Sequence, residues 1–291
     1  MDPIPYYQKD YRIKYKGTFT PRKKHIFRAA HVALNRFAAI RHLLAPKLKV
    51  LDVGSGGGEF LYLLKKLGCD AQGIEPNEGY ANYARDQYQL NITVGFMQNT
   101  PLEDDTFDRV TLWHVLEHMD NPAWVLKRIH SCLKPGGLLV VEVPNVEATC
   151  QAPVNTFHMA HLYNFNESTL KRMAGRAGFS MIEKSESEDG GNICQVFKKN
   201  GEDSEDFTAE IEGNFASIFN TVTRRTMLRH YLTHYPYTRF LKKIRNGFIE
   251  NQAARRFTHG RDILDHLMES INRKSLPEHW RAGQGGPSGG C

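Results

Sequence analysis

Cysteine is scarce and unpaired in pattern: Cys69, Cys132, Cys150, Cys194 and Cys291 are widely separated and odd in number. They match neither a disulfide framework nor a zinc ligand set. No uninterrupted apolar run reaches the ~18 residues that a membrane-spanning helix needs. The opening MDPIPYYQKD is polar and carries no apolar signal segment, so a reduced, cytoplasmic setting is expected. There is also no short tandem repeat, no sustained heptad and no auxiliary RNA-binding motif. Acidic residues are rare early in the chain, where residues 9–49 hold twelve Lys/Arg against one Asp. A second basic stretch runs from Arg224 to Arg261. Such clusters suit a solvated surface, an anionic small molecule or lipid headgroup, or nucleic acid.

What is present has an alternating rhythm. Ile26–Leu44 has helical periodicity and stops at Pro46, giving a 1–48 segment that can act as a lid or cap. KVLDVG reads as a buried strand, EFLYLLKKLG as a helix, DAQGIEP as a strand, NEGYANYARDQY as a helix and ITVGFM as a short strand. FDRVTLWH, GLLVVEVP, SMIEKSE and NICQVFKK are further strands, separated by helices at Pro122–Cys132 and Glu167–Ala177, with Asn166 as the cap of the latter. The pattern predicts an α/β domain over 49–199. A mainly helical extension follows over 200–278, broken near Pro236, and the Gly-rich 279–291 reads as a disordered tail.

The segment VLDVGSGGGEF sets Gly54, Gly56 and Gly58 between a strand and a helix. Glycines there bring backbone N–H groups close to a ligand at a helix start. Glu75, at the end of the next strand, suits two ribose hydroxyls. Asp52 suits either the turn or the amino-acid end of a cofactor. The dinucleotide pattern GxGxxG is broken, because Glu59 stands where its third glycine belongs.

VLDVGSGGG, GIEP, FDRVTLWHVLEHMDNP, LKPGGLLVVEVPN and RAGF together resemble the class I S-adenosylmethionine-dependent methyltransferases, in particular the ubiquinone-biosynthesis-like group. The resemblance covers roughly residues 50–197. It implies a three-layer sandwich around a mostly parallel seven-stranded sheet, here with added terminal helices, and S-adenosyl-L-methionine as methyl donor. It also implies that Gly54 and Gly56 approach the methionine portion, that Glu75 holds the ribose, and that the loop with Phe96 and Met97 flanks adenine. Phe96 stands where many relatives carry an acid, and both residues suit core packing equally.

Trp113 can line the sulfonium pocket. His114, His158 and His161 are candidates to receive a proton or position the acceptor, with Tyr163 as a substrate contact in the insertion NTFHMAHLYNF. His118 suits loop anchoring. His114 and His118 are four apart, but no third ligand follows from the spacing, and no metal is expected. Tyr11 and Tyr15, with Tyr6, Tyr7 and Phe19, can form an aromatic lid over substrate. The expected acceptor is a small metabolite or lipid-like molecule methylated at oxygen or nitrogen, with peripheral membrane contact as an accompanying expectation. RNA is the weaker enzymatic alternative, and a noncatalytic scaffold that binds the cofactor is the alternative of a different class.

Overall fold

The structure is a computed structural model that describes residues 18–200, 211–269 and 271. Helix α1 (Lys23–Ile40) is followed by β1 (Lys49–Val53), α2 (Glu59–Lys66), β2 (Asp70–Glu75), α3 (Glu78–Tyr88) and β3 (Asn91–Val94). Then come β4 (Phe107–Trp113), α4 (Pro122–Cys132), β5 (Leu133–Pro144), α5 (Glu167–Gly175), β6 (Phe179–Glu186) and β7 (Asn192–Lys199). Four helices close the described chain: α6 (Asn214–Thr223), α7 (Met227–Tyr231), α8 (Tyr235–Arg256) and α9 (Gly260–Glu269). The seven strands take the order β3-β2-β1-β4-β5-β7-β6. β1 with β2, β2 with β3 and β4 with β5 run parallel, whereas β7 is antiparallel to both β5 and β6. The expected mostly parallel, seven-stranded α/β fold is therefore present, with its antiparallel hairpin at one edge.

Contacts gather the chain into two units, one holding the described residues of 1–100 and 247–271, the other 101–246. In the first, α1 buries Ile26, Ala30, Ala33, Phe37 and Ile40, a stripe at spacings of three and four. Ile26 and Ala30 pack with Leu61 and Tyr62 of α2, Ala81, Ala84 and Tyr88 of α3, and Ile263 and Leu264 of α9. The far end of the chain thus completes a core begun near its start. Arg28 of α1 clamps the buried Glu250 with two bonds, Nε to Oε1 at 2.7 Å and Nη2 to Oε2 at 2.6 Å. Tyr62 donates its hydroxyl to Asp265 of α9 at 2.7 Å. Phe19, the described member of the expected aromatic lid, lies against Gly79, where an added Cβ would come within 2.2 Å of its carbonyl oxygen. Tyr11 and Tyr15 fall outside the described residues.

The second unit is organised around β5, whose LLVVEV run is buried except at Glu142. Short polar side chains start its helices. Asn121 accepts from Trp124 N at 3.0 Å with Pro122 at the first helical position, where its missing N–H costs nothing. Asn166 accepts from Thr169 N while Thr169 Oγ1 accepts from Asn166 N, both at 3.0 Å, a reciprocal cap of α5. Pro236 sits in the first turn of α8 and so separates it from α7, as the sequence predicts. Among the described residues no helix is long and apolar enough to cross a membrane.

Candidate functional site

The glycine turn of the first unit follows directly from β1. Gly54 N and Ser55 N both donate to Ile74 O of β2, at 2.7 and 3.0 Å, which folds the turn across the strand ends. Gly54 and Gly56 have φ of 74° and 59°, a region that costs an L side chain about 1–2 kcal/mol. Gly58, also left-handed, is the N-cap of α2, so backbone N–H groups rather than a capping side chain are presented there. Glu75 ends β2 and is buried, with Oε2 accepting from Gly56 N at 2.7 Å and Oε1 from Asn77 N at 3.0 Å. The carboxylate and the glycine bend predicted to act together are thus in direct contact. Asp52 is buried one residue before the end of β1. The Ser55 hydroxyl in the same turn is buried and has no hydrogen-bond partner. Met97 lies in the core and Phe96 is half-buried beside it. A backbone cradle, a carboxylate at its rim and an unpaired hydroxyl inside it suit a nucleoside cofactor with an amino-acid end, which fits S-adenosyl-L-methionine.

A second constellation forms in the second unit, where β4 ends at Trp113, itself buried. His114 N donates to Glu142 O at 2.9 Å, carrying the ladder one step past β4. His114 then turns left-handed, φ 57°, and the chain enters a 3-10 turn at Leu116–His118 instead of a regular helix. Helical spacing therefore does not govern this segment. His114 Nδ1 lies 3.4 Å from Glu117 Oε1, and its Nε2 lies 3.3 Å from Glu142 Oε1. Burial alone would lower the pKa of His114, but the two carboxylates outweigh it and raise it to about 9. At neutral pH His114 is accordingly an imidazolium.

The insertion expected to form a substrate wall is pinned to this turn. Leu162 N and Tyr163 N both donate to Glu117 O, at 2.9 and 3.2 Å, and His118 Nδ1 donates to Ala160 O at 2.8 Å. His118 is thus a loop anchor, and burial lowers its pKa. His158 accepts from Ala160 N through Nδ1 at 3.2 Å. The His161 ring stands 4.8 Å from those of both His118 and His158. Burial, reinforced by His118, lowers the pKa of His161 to about 4, so this ring is neutral. His114, His158 and His161, together with Asn145, Asn155 and Arg225, line a cavity of about 250 Å³. Tyr163 is not among the lining residues, because its hydroxyl turns away to Asp120 O at 3.2 Å.

Sequence reasoning singled out the three histidines but gave no role to Glu117 or Glu142. Glu142 carried a usable signal, a lone acid inside an apolar strand. Glu117 is buried, and neither of its carboxylate oxygens has a hydrogen-bond partner. With His118 and His161 it forms a group whose ligand atoms lie within 4.8 Å of one another, close enough to hold a cation. His161, 43 residues from His118, is the third member that spacing alone did not supply.

Comparison with known proteins agrees with this chemistry. A family model described as a methyltransferase domain matches residues 22–184, more than half of the chain. A ubiquinone biosynthesis O-methyltransferase of Colwellia psychrerythraea is 32% identical over 104 residues, covering 34% of this chain and 42% of that protein. An S-adenosylmethionine-dependent methyltransferase of Mycolicibacterium smegmatis is 28% identical over 159 residues, covering 53% of this chain and 59% of that protein. The chain spans about half the length of these relatives. Among solved structures, a SAM-dependent methyltransferase from Archaeoglobus fulgidus aligns with a TM-score of 0.50 at 20% identity, covering 65% of this chain and 98% of that one. The complex between the Haloferax volcanii Trm112 methyltransferase activator and a methyltransferase supplies another match, with a TM-score of 0.51 at 16% identity over 62% of this chain and 96% of that one. At these identities the likeness is one of fold. The chain belongs to the methyltransferase-domain family, the class I S-adenosylmethionine-dependent methyltransferases.

Proposed function

We propose that this protein transfers a methyl group from S-adenosyl-L-methionine to a small metabolite or lipid-like acceptor, with oxygen favoured over nitrogen as the accepting atom. The observation that carries the reading is the bond between Gly56 N and Glu75 in a turn that only glycine enters without strain. Relatives named as O-methyltransferases favour oxygen. In this reading Gly54 and Gly56 approach the methionine portion, Asp52 takes its amino-acid end, Glu75 takes the ribose hydroxyls, Phe96 and Met97 flank adenine, and Trp113 lines the sulfonium region. When bound, the cofactor supplies a methyl carbon made electrophilic by its positive sulfur.

The chain's own part is positioning and proton handling, since methyl transfer needs the attacking atom, methyl carbon and leaving sulfur in line. His114, charged at neutral pH with its two ring nitrogens on Glu117 and Glu142, forms a fixed part of the pocket wall against which the acceptor is oriented. Neutral His161 presents a lone pair. A base of pKa about 4 is weak toward a free hydroxyl, yet it suffices once the O–CH₃ bond has begun to form and the oxygen has become strongly acidic. His158 shares the pocket wall and positions the acceptor.

The test is incubation of the purified protein with methyl-labelled S-adenosyl-L-methionine and fractionated cellular extract, with the labelled product identified by mass spectrometry. Label on one small molecule at oxygen is the expected result. Saturable cofactor binding with no labelled product would instead favour a scaffold role, and label confined to RNA would overturn the acceptor class.

A further inference from the structure

We propose that the pocket of the second unit accepts a molecule carrying a carboxylate or phosphate group, and that Arg225 selects it. The inference deepens the methyl-transfer reading and rests on it only for treating the ligand as the acceptor.

Arg225 lies between α6 and α7 and lines the cavity with His114, His158 and His161. Its contacts are long and neutral: Nη1 donates to Thr156 Oγ1 and Nη2 to Val146 O, each at 3.4 Å. Its Nε is buried and has no hydrogen-bond partner. Burial depresses its pKa, yet a guanidinium stays charged at neutral pH. The cation is therefore partly desolvated, and its donors are under-used. Leaving a buried charged donor unsatisfied is costly, and the cost is recovered when a ligand supplies the missing acceptor.

Several other cations of the same unit have carboxylate partners. Arg239 meets Asp189 at 3.0 Å, Lys134 meets Asp108 at 2.8 Å and Lys199 meets Asp105 at 2.8 Å. No acidic residue is among the described residues lining the cavity. The acid whose charge Arg225 feels, Glu147, accepts from the Ser217 hydroxyl at 3.2 Å and makes no ion pair with it. Glu117 and Glu142 face His114 rather than Arg225. Around Arg225 the wall is completed by amide side chains, among them Gln151, Asn155 and Asn192, which can donate to oxygen without adding charge. A guanidinium fork matches the two oxygens of a carboxylate or phosphate, and Nε with one Nη is the usual pair of donors for it. This geometry is the complement of an oxyanion.

The experiment titrates the full chain with benzoate, phenyl phosphate and the neutral benzamide, three probes of similar ring size. The expected result is at least about tenfold tighter binding of one or both anions than of benzamide, equivalent to about 1.4 kcal/mol. The benzoate and phenyl phosphate arms distinguish a carboxylate-bearing from a phosphate-bearing acceptor. Arg225→Gln should abolish the preference for the anion, whereas Arg224→Gln, at the exposed neighbouring position, should leave it intact. Should Arg225→Gln fail to fold, Arg225→Lys keeps the charge and loses the fork, and it should weaken anion binding at least about threefold with benzamide unchanged. Equal binding of all three probes by the wild type, or an unchanged anion preference in the folded Arg225 variants, overturns the proposal. Titration with S-adenosyl-L-methionine in the same variants is independent of this result. Loss of methyl transfer from the wild type would sink the methyl-transfer reading while leaving a measured anion preference standing.

Discussion

The glycine turn of the first unit and the histidine pocket of the second are assembled from different parts of the chain. The turn is built from bent backbone and the Glu75 carboxylate it holds, and the 26 residues from Asp52 to Asn77 contain nearly all of it. In the pocket they are side chains from separated segments: His114 after β4, Asn145 after β5, His158 and His161 in the following insertion, and Arg225 beyond α6. A backbone cradle tolerates little substitution because conformation itself is the binding determinant. A side-chain pocket can change its selectivity one residue at a time. A shared donor with variable acceptors is what this contrast leads one to expect.

Substitutions that break the contrast should fall in a definite order. Gly56→Asp forces a side chain into a left-handed position and sets a second carboxylate beside Glu75. It should lower S-adenosyl-L-methionine affinity by about 100-fold or more, measured by isothermal titration on protein whose melting curve shows it folded; wild-type affinity would remove the turn from the binding site. In the pocket, His161→Ala should leave donor affinity unchanged and reduce the transfer rate by about 100-fold, the lower end for a proton acceptor. Comparable kcat in the variant at saturating donor would show that no proton passes through this ring. Glu75→Ala should weaken donor binding by about tenfold, as loss of a hydrogen bond to a charged group does. A change in acceptor KM alone would contradict the ribose assignment.

The smallest effect concerns pH and sharpens the electrostatic side of the comparison. The pKa of His114 is raised by Glu117 and Glu142, so the stability it contributes is fully present below its unfolded value of about 6.5 and is lost as pH rises through about 9. The wild type should therefore lose more Tm between those limits than His114→Gln does. Parallel Tm profiles across the window would show that the two carboxylates do not hold the proton.

The same contrast explains how much was legible beforehand. Strand and helix positions from Lys49 to Lys199 follow from apolar periodicity, and Asn166 announces its cap because the donor it satisfies is three residues away. The convergence of Gly56 and Glu75 was readable because Glu75 ends β2 and Gly56 lies in the turn that follows β1, its parallel neighbour. His114 was nameable, but its left-handed backbone and its two carboxylate neighbours were not, since Glu142 reaches it only through the β4 and β5 pairing. The placement of Tyr163 was not legible for a related reason: the insertion is held by two long-range bonds to Glu117 O, and the Tyr163 hydroxyl donates to Asp120 O. The helical extension reads as an appendage from composition, yet Ile263 and Leu264 belong to the core of the first unit. Amphipathic spacing states that a helix has an apolar face without stating what covers it.

The most direct measurement is a crystal structure of the protein with S-adenosylhomocysteine, the demethylated form of the donor. The expected result is the amino-acid end against the Gly54–Gly56 backbone and both ribose hydroxyls on the Glu75 carboxylate. A nucleoside bound away from that carboxylate, with the glycine turn empty, would contradict it.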